Sequence, residues 1–267
     1  MSALDKRSTG NDVRMRCRSG THTGPTAGLA AGYVQANLVV LPGELASDFH
    51  DFCRRNSQPC PVLEKLEAGA FEPQGTARGG DLRTDLPRYR VFRAGRCVDR
   101  PHSIESMWRD DLVAFLIGCS FTFEAALQEA GLPVRHIDEG RNVPMYRTDI
   151  ACEPCGPFSG PLVVSMRPMT PGQADRAKAI TEPLRHAHGA PVHIGQAADI
   201  GIADLSTPDF GEVVTIGPEE VPVFWACGVT PMEAIIRAKP QIAITHEPGH
   251  MFVTDLSDRL GSVDDPA

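Results

Sequence analysis

The densest group of chemically active side chains lies near the C-terminal end of the sequence, in the run His246-Glu-Pro-Gly-His250. Neutral imidazole is a good general base near pH 7, so we predict that His246 or His250 transfers a proton. A Pro-Gly pair between them breaks a helix, which excludes the helical metalloprotease motif. A loop-borne metal site would need a third ligand, such as His188 or His193, and a structural role for the imidazoles also stays open.

A second candidate site lies where two apolar segments turn into helices. In both Val113–Leu127 and Val221–Ile235 a short apolar run ends at a cysteine, a helix-capping threonine (Thr122 or Thr230) follows three residues later, and a Glu-Ala-rich helix begins. Helix N-termini attract anions. The sequence therefore predicts a site for a small anionic molecule at Cys119, Ser120, Cys227 and Gly228.

Cys119 allows two kinds of chemistry at the first turn. A helix N-terminus lowers the pKa of a thiol, which would favour a nucleophilic thiolate. Backbone N–H groups at Cys119-Ser120 or Cys227-Gly228 could instead form an oxyanion hole, even with an inert thiol. A small buried cysteine without a chemical role is the plainer interpretation and stays open.

A third group of polar residues lies in residues 139–148. This segment combines a carboxylate, two guanidiniums, an amide and a phenol around Gly140 and Pro144. Such a mixture suits a substrate-binding loop, although an ordinary surface loop explains it equally well. The candidate residues are Glu139, Arg141, Asn142, Tyr146 and Arg147.

The scaffold for these residues follows from the apolar runs, which lack the alternation of half-buried strands. We predict strands buried on both faces, as in a mostly parallel sheet. From about Leu132 to Gly217, prolines and glycines are dense and the strand candidates are short. The sequence therefore predicts a layered α/β core made of residues 1–131 and 217–267, with residues 132–216 inserted as a smaller α+β domain.

Shorter elements can also be located. We predict a helix from about Gly43 to Arg55, and a hairpin arm at 88–93 that turns at Ala94-Gly95. The two strand-turn-helix units could reflect a duplication, but such units resemble one another by physics alone. The sequence favours that plainer interpretation.

Composition restricts the partners. A net charge of -8 and a pI near 5.6 argue against nucleic acid as the main partner. The sequence has no apolar run long enough for a membrane span, and its charged N-terminus does not resemble an export signal. We expect a cytoplasmic protein with reduced cysteines and a small carboxylate as partner. The cofactor is unknown, no metal is predicted, and a homo-oligomer stays open.

Several long blocks carry a family resemblance, among them Val223-Phe-Trp-Ala-Cys-Gly-Val-Thr-Pro231 and Thr245-His-Glu-Pro-Gly-His-Met-Phe-Val-Thr-Asp255. The full blocks are 24–29, 32–38, 110–121, 139–146, 160–168, 188–195, 222–231 and 244–255. They resemble the hydro-lyase family whose domain also occurs in the mitochondrial D-glutamate cyclase. The resemblance runs from about Arg14 to Asp255, and Ala31 and Met232 depart from its usual Pro and Gln. It implies a two-part α/β protein with a dehydrating lyase activity, and suggests closure of D-glutamate to 5-oxo-D-proline.

A mechanism for lactam closure can be assembled from the candidate residues. Arg141 or Arg147 would hold the α-carboxylate, and His246 or His250 would take a proton from the ammonium. Glu139 would protonate the departing water. An α,β-elimination from a hydroxy acid needs the same parts and stays open, as does a non-catalytic small-carboxylate binding or regulatory protein. The remaining predicted substrate contacts are Asn142, Tyr146, Ser120, Cys227, Gly228 and His193.

Overall fold

The computed structural model describes residues 4–259, which form two sheets with helices packed against them. Sheet A contains Tyr33–Pro42 (β1), Val62–Lys65 (β2), Tyr89–Arg93 (β3), Arg96–Asp99 (β4), Leu112–Gly118 (β5), Ala243–His246 (β10) and Phe252–Ser257 (β11). Sheet B contains Met145–Ala151 (β6), Pro161–Met169 (β7), His193–Ile194 (β8) and Val221–Ala226 (β9). The α-helices are Gly10–Arg18 (α1), Gly43–Arg55 (α2), Phe121–Glu129 (α3), Arg135–Asp138 (α4), Pro171–Thr181 (α5) and Thr230–Ala238 (α6).

The strands of both sheets pair in antiparallel fashion throughout residues 4–259, so the prediction of a mostly parallel sheet is wrong. The apolar runs misled because β1 is covered on both faces. Val39 and Leu41 pack in one core with Phe49 of α2, whereas Leu38 and Val40 pack in a second core. Burial on both faces removes the alternation whatever the strand direction.

The shorter elements agree with the sequence. The helix α2 begins at Gly43 and ends at Arg55, as predicted. The predicted hairpin is β3 and β4, and its turn residues Ala94 and Gly95 both have positive φ. Sheet A draws its strands from residues 33–118 and 243–257, and sheet B from residues 145–226. The division into a discontinuous core domain and an inserted domain stays a prediction.

Two parts of the chain share one order of elements once the hairpin β3–β4, which lies between β2 and β5, is set aside. We call them unit 1 (β1, α2, β2, β5, α3) and unit 2 (β7, α5, β8, β9, α6). In both units the first strand leads into a helix and pairs with the strand that turns into the last helix. The threonines predicted as helix caps have another role. Thr122 Oγ1 accepts a hydrogen bond from Gln35 N (3.0 Å), and Thr230 Oγ1 accepts one from Val163 N (3.0 Å). Each threonine therefore joins a helix start to the first strand of its unit.

In each unit a further strand pairs with the first strand, and these two added strands are alike. β11 pairs with β1, and β6 pairs with β7. Their sequences are Met145-Tyr-Arg-Thr-Asp-Ile150 and Met251-Phe-Val-Thr-Asp-Leu256. Thr148 Oγ1 donates to Leu162 O and Thr254 Oγ1 donates to Val34 O, both at 2.8 Å. The first unit is thus closed by a strand that lies at the far end of the described chain.

Two global features of residues 4–259 bear on function. No helix in this range is long and apolar enough to cross a bilayer. Its His, Cys, Asp and Glu side chains form no group of three or more suited to hold a metal ion. All eight cysteines are free thiols.

Candidate active site

The run His246–His250, here called the histidine loop, connects β10 to β11. His246 is only 2% exposed, and its Nδ1 lies 3.3 Å from Leu38 N and 3.4 Å from Leu38 O on β1. Burial lowers the pKa of His246 to about 4, so the ring is neutral at pH 7. The backbone of β1 therefore holds a neutral imidazole at the C-terminal end of β10.

The second imidazole of the loop is also neutral. His250 Nδ1 lies 3.1 Å from Pro248 O, and since a carbonyl only accepts, Nδ1 carries the hydrogen. The free lone pair is then on Nε2. Burial lowers the pKa of His250, and the nearby Arg88 and His22 lower it further. A neutral ring with a free lone pair meets the requirement for a general base.

Arginines surround the carboxylate between these two rings. Glu247 accepts hydrogen bonds from Arg90, whose Nε lies 2.8 Å from Oε1, and its Oε2 lies 3.3 Å from Arg100 Nε. The backbone N–H of Glu247 donates to Arg88 O at 2.9 Å. Arg90 also approaches the sulfur of Met232 in the first turn of α6, at 3.9 Å. Two guanidiniums against one carboxylate, with the charge of Arg88 near His250, give the histidine loop a positive surrounding that attracts anions.

Buried polar atoms without a hydrogen-bond partner are concentrated around this loop. Native proteins pair nearly all such atoms, so each exception points to water, a ligand or stored strain. Within residues 4–259 the atoms near the histidine loop without a hydrogen-bond partner are His22 Nε2, Arg88 Nε, Asn142 Oδ1, His246 Nε2 and Glu247 Oε2. Two of them belong to residues that the sequence predicts as functional.

Asn142 is the residue of the 139–148 segment that reaches the histidine loop. Its Nδ2 donates to Pro248 O at 3.3 Å. Gly249 has a φ of 85°, and a Cβ built there would lie 2.7 Å from the Asn142 amide. The loop conformation and the close approach both require glycine at this position. Asn142 and the two histidines thus lie together.

Arg141 and Glu139, the other candidates at this end of the 139–148 segment, contact residues 213–215 of the chain. Arg141 contacts the backbone of Val213 and lies 3.4 Å from Glu139. Glu139 accepts a hydrogen bond from Thr215 N at 3.2 Å. Hydrogen bonding from Thr215 lowers the pKa of Glu139, which favours the carboxylate over the protonated acid. The predicted proton donor is therefore held in its ionised form.

Three further candidates lie on sheet B with partners of their own. Arg147 binds Asp209 and, at 2.7 Å, Glu233, and its guanidinium stacks over Phe210. The hydroxyl of Tyr146 donates to Leu205 O at 2.8 Å. The Nε2 atom of His193 lies 2.8 Å from Gln196 O. Their role in substrate binding stays a prediction.

The two cysteine turns lie close to each other. Burial raises the pKa of Cys227 to about 11 and that of Cys119 still further, and the proximity of Cys227 contributes to the latter. Both thiols are therefore protonated at pH 7 and weak as nucleophiles. Asn37 of β1 connects the turns, because its Nδ2 donates to Gly118 O at 2.7 Å and a Cβ at Gly228 would lie 1.9 Å from the same nitrogen.

Sequence reasoning missed a buried ionic network at the start of α3. Arg167 of β7 is fully buried, and its guanidinium contacts Glu124 and, at 3.1 Å, Ser120 Oγ and Ser165 Oγ. His136 Nε2 lies 3.2 Å from the same Glu124 oxygen. Burial alone would raise the pKa of Glu124, but His136 and Arg167 outweigh it and lower the pKa. An arginine inside the apolar strand at 161–169 was the available signal, since a buried charge needs a partner.

The cysteine turns and the histidine loop are linked through β1. Asn37 contacts the turns at 118 and 228, and its neighbour Leu38 holds His246 through the backbone. Adjacent strand residues point to opposite faces. Whether Cys119, Cys227 and His246 contact one ligand stays a prediction.

Comparison with known proteins identifies the family. The model of the D-glutamate cyclase family matches residues 113–255, a range that contains both cysteine turns and the histidine loop. The chain belongs to this family. The expected resemblance is thereby confirmed.

Curated relatives match over nearly the whole chain. A protein of Stutzerimonas stutzeri, named "Putative hydro-lyase", is 56% identical over 94% of this chain and 95% of its own length. Relatives from Bordetella pertussis and Bacillus licheniformis carry the same kind of name and are also 56% identical, covering 96% and 93% of this chain and 92% and 95% of their own lengths. The relatives with hydro-lyase names thus match nearly the whole length of this chain.

A solved structure of a nitrogen repressor-like protein from Methanococcus jannaschii covers 94% of this chain and 99% of its own. Its TM-score is 0.36 and its sequence identity 7%. A similarity this low does not assign a fold.

Proposed function

We propose that this protein is a hydro-lyase for a small carboxylate, and that it closes D-glutamate to 5-oxo-D-proline with loss of water at the histidine loop. The observation that carries the proposal is the pair of neutral imidazoles, buried His246 and half-buried His250, which lie within the family-matched range and beside the arginines of β3 and its flanks. Such a site can hold an anion and accept a proton from it.

The reaction needs two protons to move from the ammonium to one carboxylate oxygen. The Nε2 lone pair of His250 takes the first proton, and the free amine attacks the γ-carboxyl carbon. The C–N bond forms, the imidazolium returns its proton to the departing oxygen, and the nitrogen gives up the second. The C–O bond then breaks and water leaves. Charge and atoms balance without a redox partner.

Arg88 is the best candidate to hold a substrate carboxylate, because its buried Nε has no protein partner within residues 4–259. The sequence predicts Arg141 or Arg147 for this role, but Arg147 already binds Asp209 and Glu233. Asn142 Oδ1, an unpartnered acceptor, suits the substrate ammonium. His246 supports the loop from β1 and is the second candidate base.

The test is a mass-resolved assay with D-glutamate, L-glutamate and small hydroxy acids. We expect loss of one water from D-glutamate, and a fall in turnover by a factor on the order of 100 in His250→Gln. Half-buried His50 lies outside the loop, with its ring tilted against that of Phe115, so His50→Gln is the matched control and should keep full activity.

Two results would contradict the proposal. Absence of product from every substrate would exclude the hydro-lyase, and unchanged turnover in both His250→Gln and His246→Gln would exclude the histidine loop. A protein that binds D-glutamate without converting it would instead be a carboxylate-binding protein.

A further inference from the structure

The similarity between unit 1 and unit 2 is too detailed for chance. It covers the order of five elements, the Thr122 and Thr230 contacts to the first strand, and the two Met-x-x-Thr-Asp strands with their repeated threonine bonds. Backbone physics favours strand-turn-helix units in general but does not select the same side-chain contact twice. The two units therefore resemble each other as the two copies of a structural duplication do.

Corresponding parts of the two units touch each other, as parts beside a twofold axis do. Cys119 lies close to Cys227, and Asn142 before β6 contacts Pro248 before β11. The loop that follows α2 contacts the loop that follows α5: His188 Nδ1 donates to Gln58 O at 2.8 Å. All three contacts thus join parts that occupy corresponding places in the two units.

A cavity of about 590 Å³ lies at the last of these contacts, between the two corresponding loops. Such a volume is within the usual range of small-molecule sites. Its polar lining comes from both units: Ser57 and Gln58 from unit 1, and Glu182, Arg185, His186 and His188 from unit 2. Two units that converge on one cavity are a common way to build a ligand site.

The two histidines of the cavity are unusual. His188 is 1% exposed and has a φ of 75°, a left-handed conformation that a non-glycine residue rarely keeps without a reason. Burial lowers the pKa of His186, and it lowers that of His188 to about 4. Both rings are therefore neutral, and in both the Nε2 atom is buried without a partner in the described part of the chain. Since His188 Nδ1 carries the hydrogen, its Nε2 needs a donor.

We infer that this cavity is a second binding site, for a small zwitterion such as an amino acid, separate from the histidine loop. Arg185 supplies the cation for a carboxylate, and Glu182 supplies the anion for an ammonium. The lone pairs of His186 and His188 accept further hydrogen bonds from that ammonium. A ligand with only one charge would leave either Arg185 or Glu182 unmatched.

The experiment is a titration of the full chain labelled with ¹⁵N-histidine, using glycine and D-glutamate as zwitterions, glycolate as the anion and methylamine as the cation. We expect the imidazole signals of His186 and His188 to shift saturably with the zwitterions. Glycolate and methylamine should bind at least about tenfold more weakly. Unmoved imidazole signals, or equal binding of glycolate and glycine, would overturn the inference.

Variants locate the site. Glu182 and Arg185 are exposed, so Glu182→Gln and Arg185→Ala should fold normally and weaken glycine binding by about tenfold each. Arg54→Ala, an equal truncation on α2 outside the cavity, should leave binding unchanged. Glycine shifts that persist in both cavity variants would place the ligand elsewhere. Full retention of binding in His250→Gln separates this site from the histidine loop, and its loss there would overturn the claim of a second site.

Discussion

Two corresponding helix starts, those of α3 and α6, border different chemistry. At the start of α3 the Arg167–Glu124 pair is fully enclosed, with side chains 0% and 2% exposed. At the start of α6, Arg90 approaches Met232 instead and pairs with Glu247 of the histidine loop, and these side chains are 16% and 15% exposed. The first centre is enclosed by the protein, although Glu124 Oε2 and His136 Nδ1 have no hydrogen-bond partner there. The second keeps neutral histidines and unpartnered atoms beside its ion pair.

A repeated helix start is therefore not a repeated function. The closed pair joins β7 to the start of α3 and is suited to holding them together. The more open pair beside α6 borders groups that can exchange protons. We therefore expect substitutions in the first centre to affect stability most, and those in the second to affect turnover.

The largest expected effect is at the closed pair. Arg167→Met leaves Glu124 buried with its main partner removed, which should lower the free energy of unfolding by about 3 to 5 kcal/mol. Arg90→Met at the more open pair should cost roughly 1 kcal/mol, since water can reach Glu247. Urea denaturation of both variants measures the difference. Equal losses would remove the distinction between the two centres.

A smaller effect is expected from acid. The folded-state pKa of His246 lies near 4, below its unfolded value of about 6.5, so folding favours the neutral ring. This contribution is complete above pH 6.5 and is lost as the pH falls towards 4, by on the order of 2 kcal/mol. His246→Gln should flatten the stability profile over that window, as followed by denaturation at several pH values. His50→Gln is the control, and an unflattened profile for His246→Gln would contradict burial as the cause.

The smallest expected effect tests the equivalence of the units. Thr122→Val and Thr230→Val each leave a buried backbone N–H of the first strand unpaired, which should cost about 1 to 2 kcal/mol. Because the two contacts have the same geometry, the two losses should be similar in thermal or urea denaturation. A large loss in one variant and none in the other would show that the likeness is only geometric.

The sequence predicted local elements better than it predicted their assembly. Phe49 and Phe52, three residues apart on one face of segment 43–55, were sufficient to place α2. The antiparallel pairing was not predictable, because burial of both faces of β1 produces the same apolar run in either direction.

The candidate site was predictable only in part, because residue types are visible in the sequence whereas the pairing of distant strands is not. The two histidines stand out by residue type alone, and Asn142 by the density of polar groups around it. Arg88 and Arg90 did not stand out, because they read as the polar side of an alternating hairpin. Their proximity to Glu247 depends on the pairing of β3 with β10, two strands that are far apart in the sequence.

The placement of β11 has a consequence for biosynthesis. Thr254 bonds Val34 across a separation of 220 residues, so β1 cannot complete its hydrogen bonds until that late strand has emerged from the ribosome. Contacts of such long range slow folding and leave a strand edge open in the meantime. A nascent chain of this protein should therefore need chaperone protection at β1 until β11 has been synthesised.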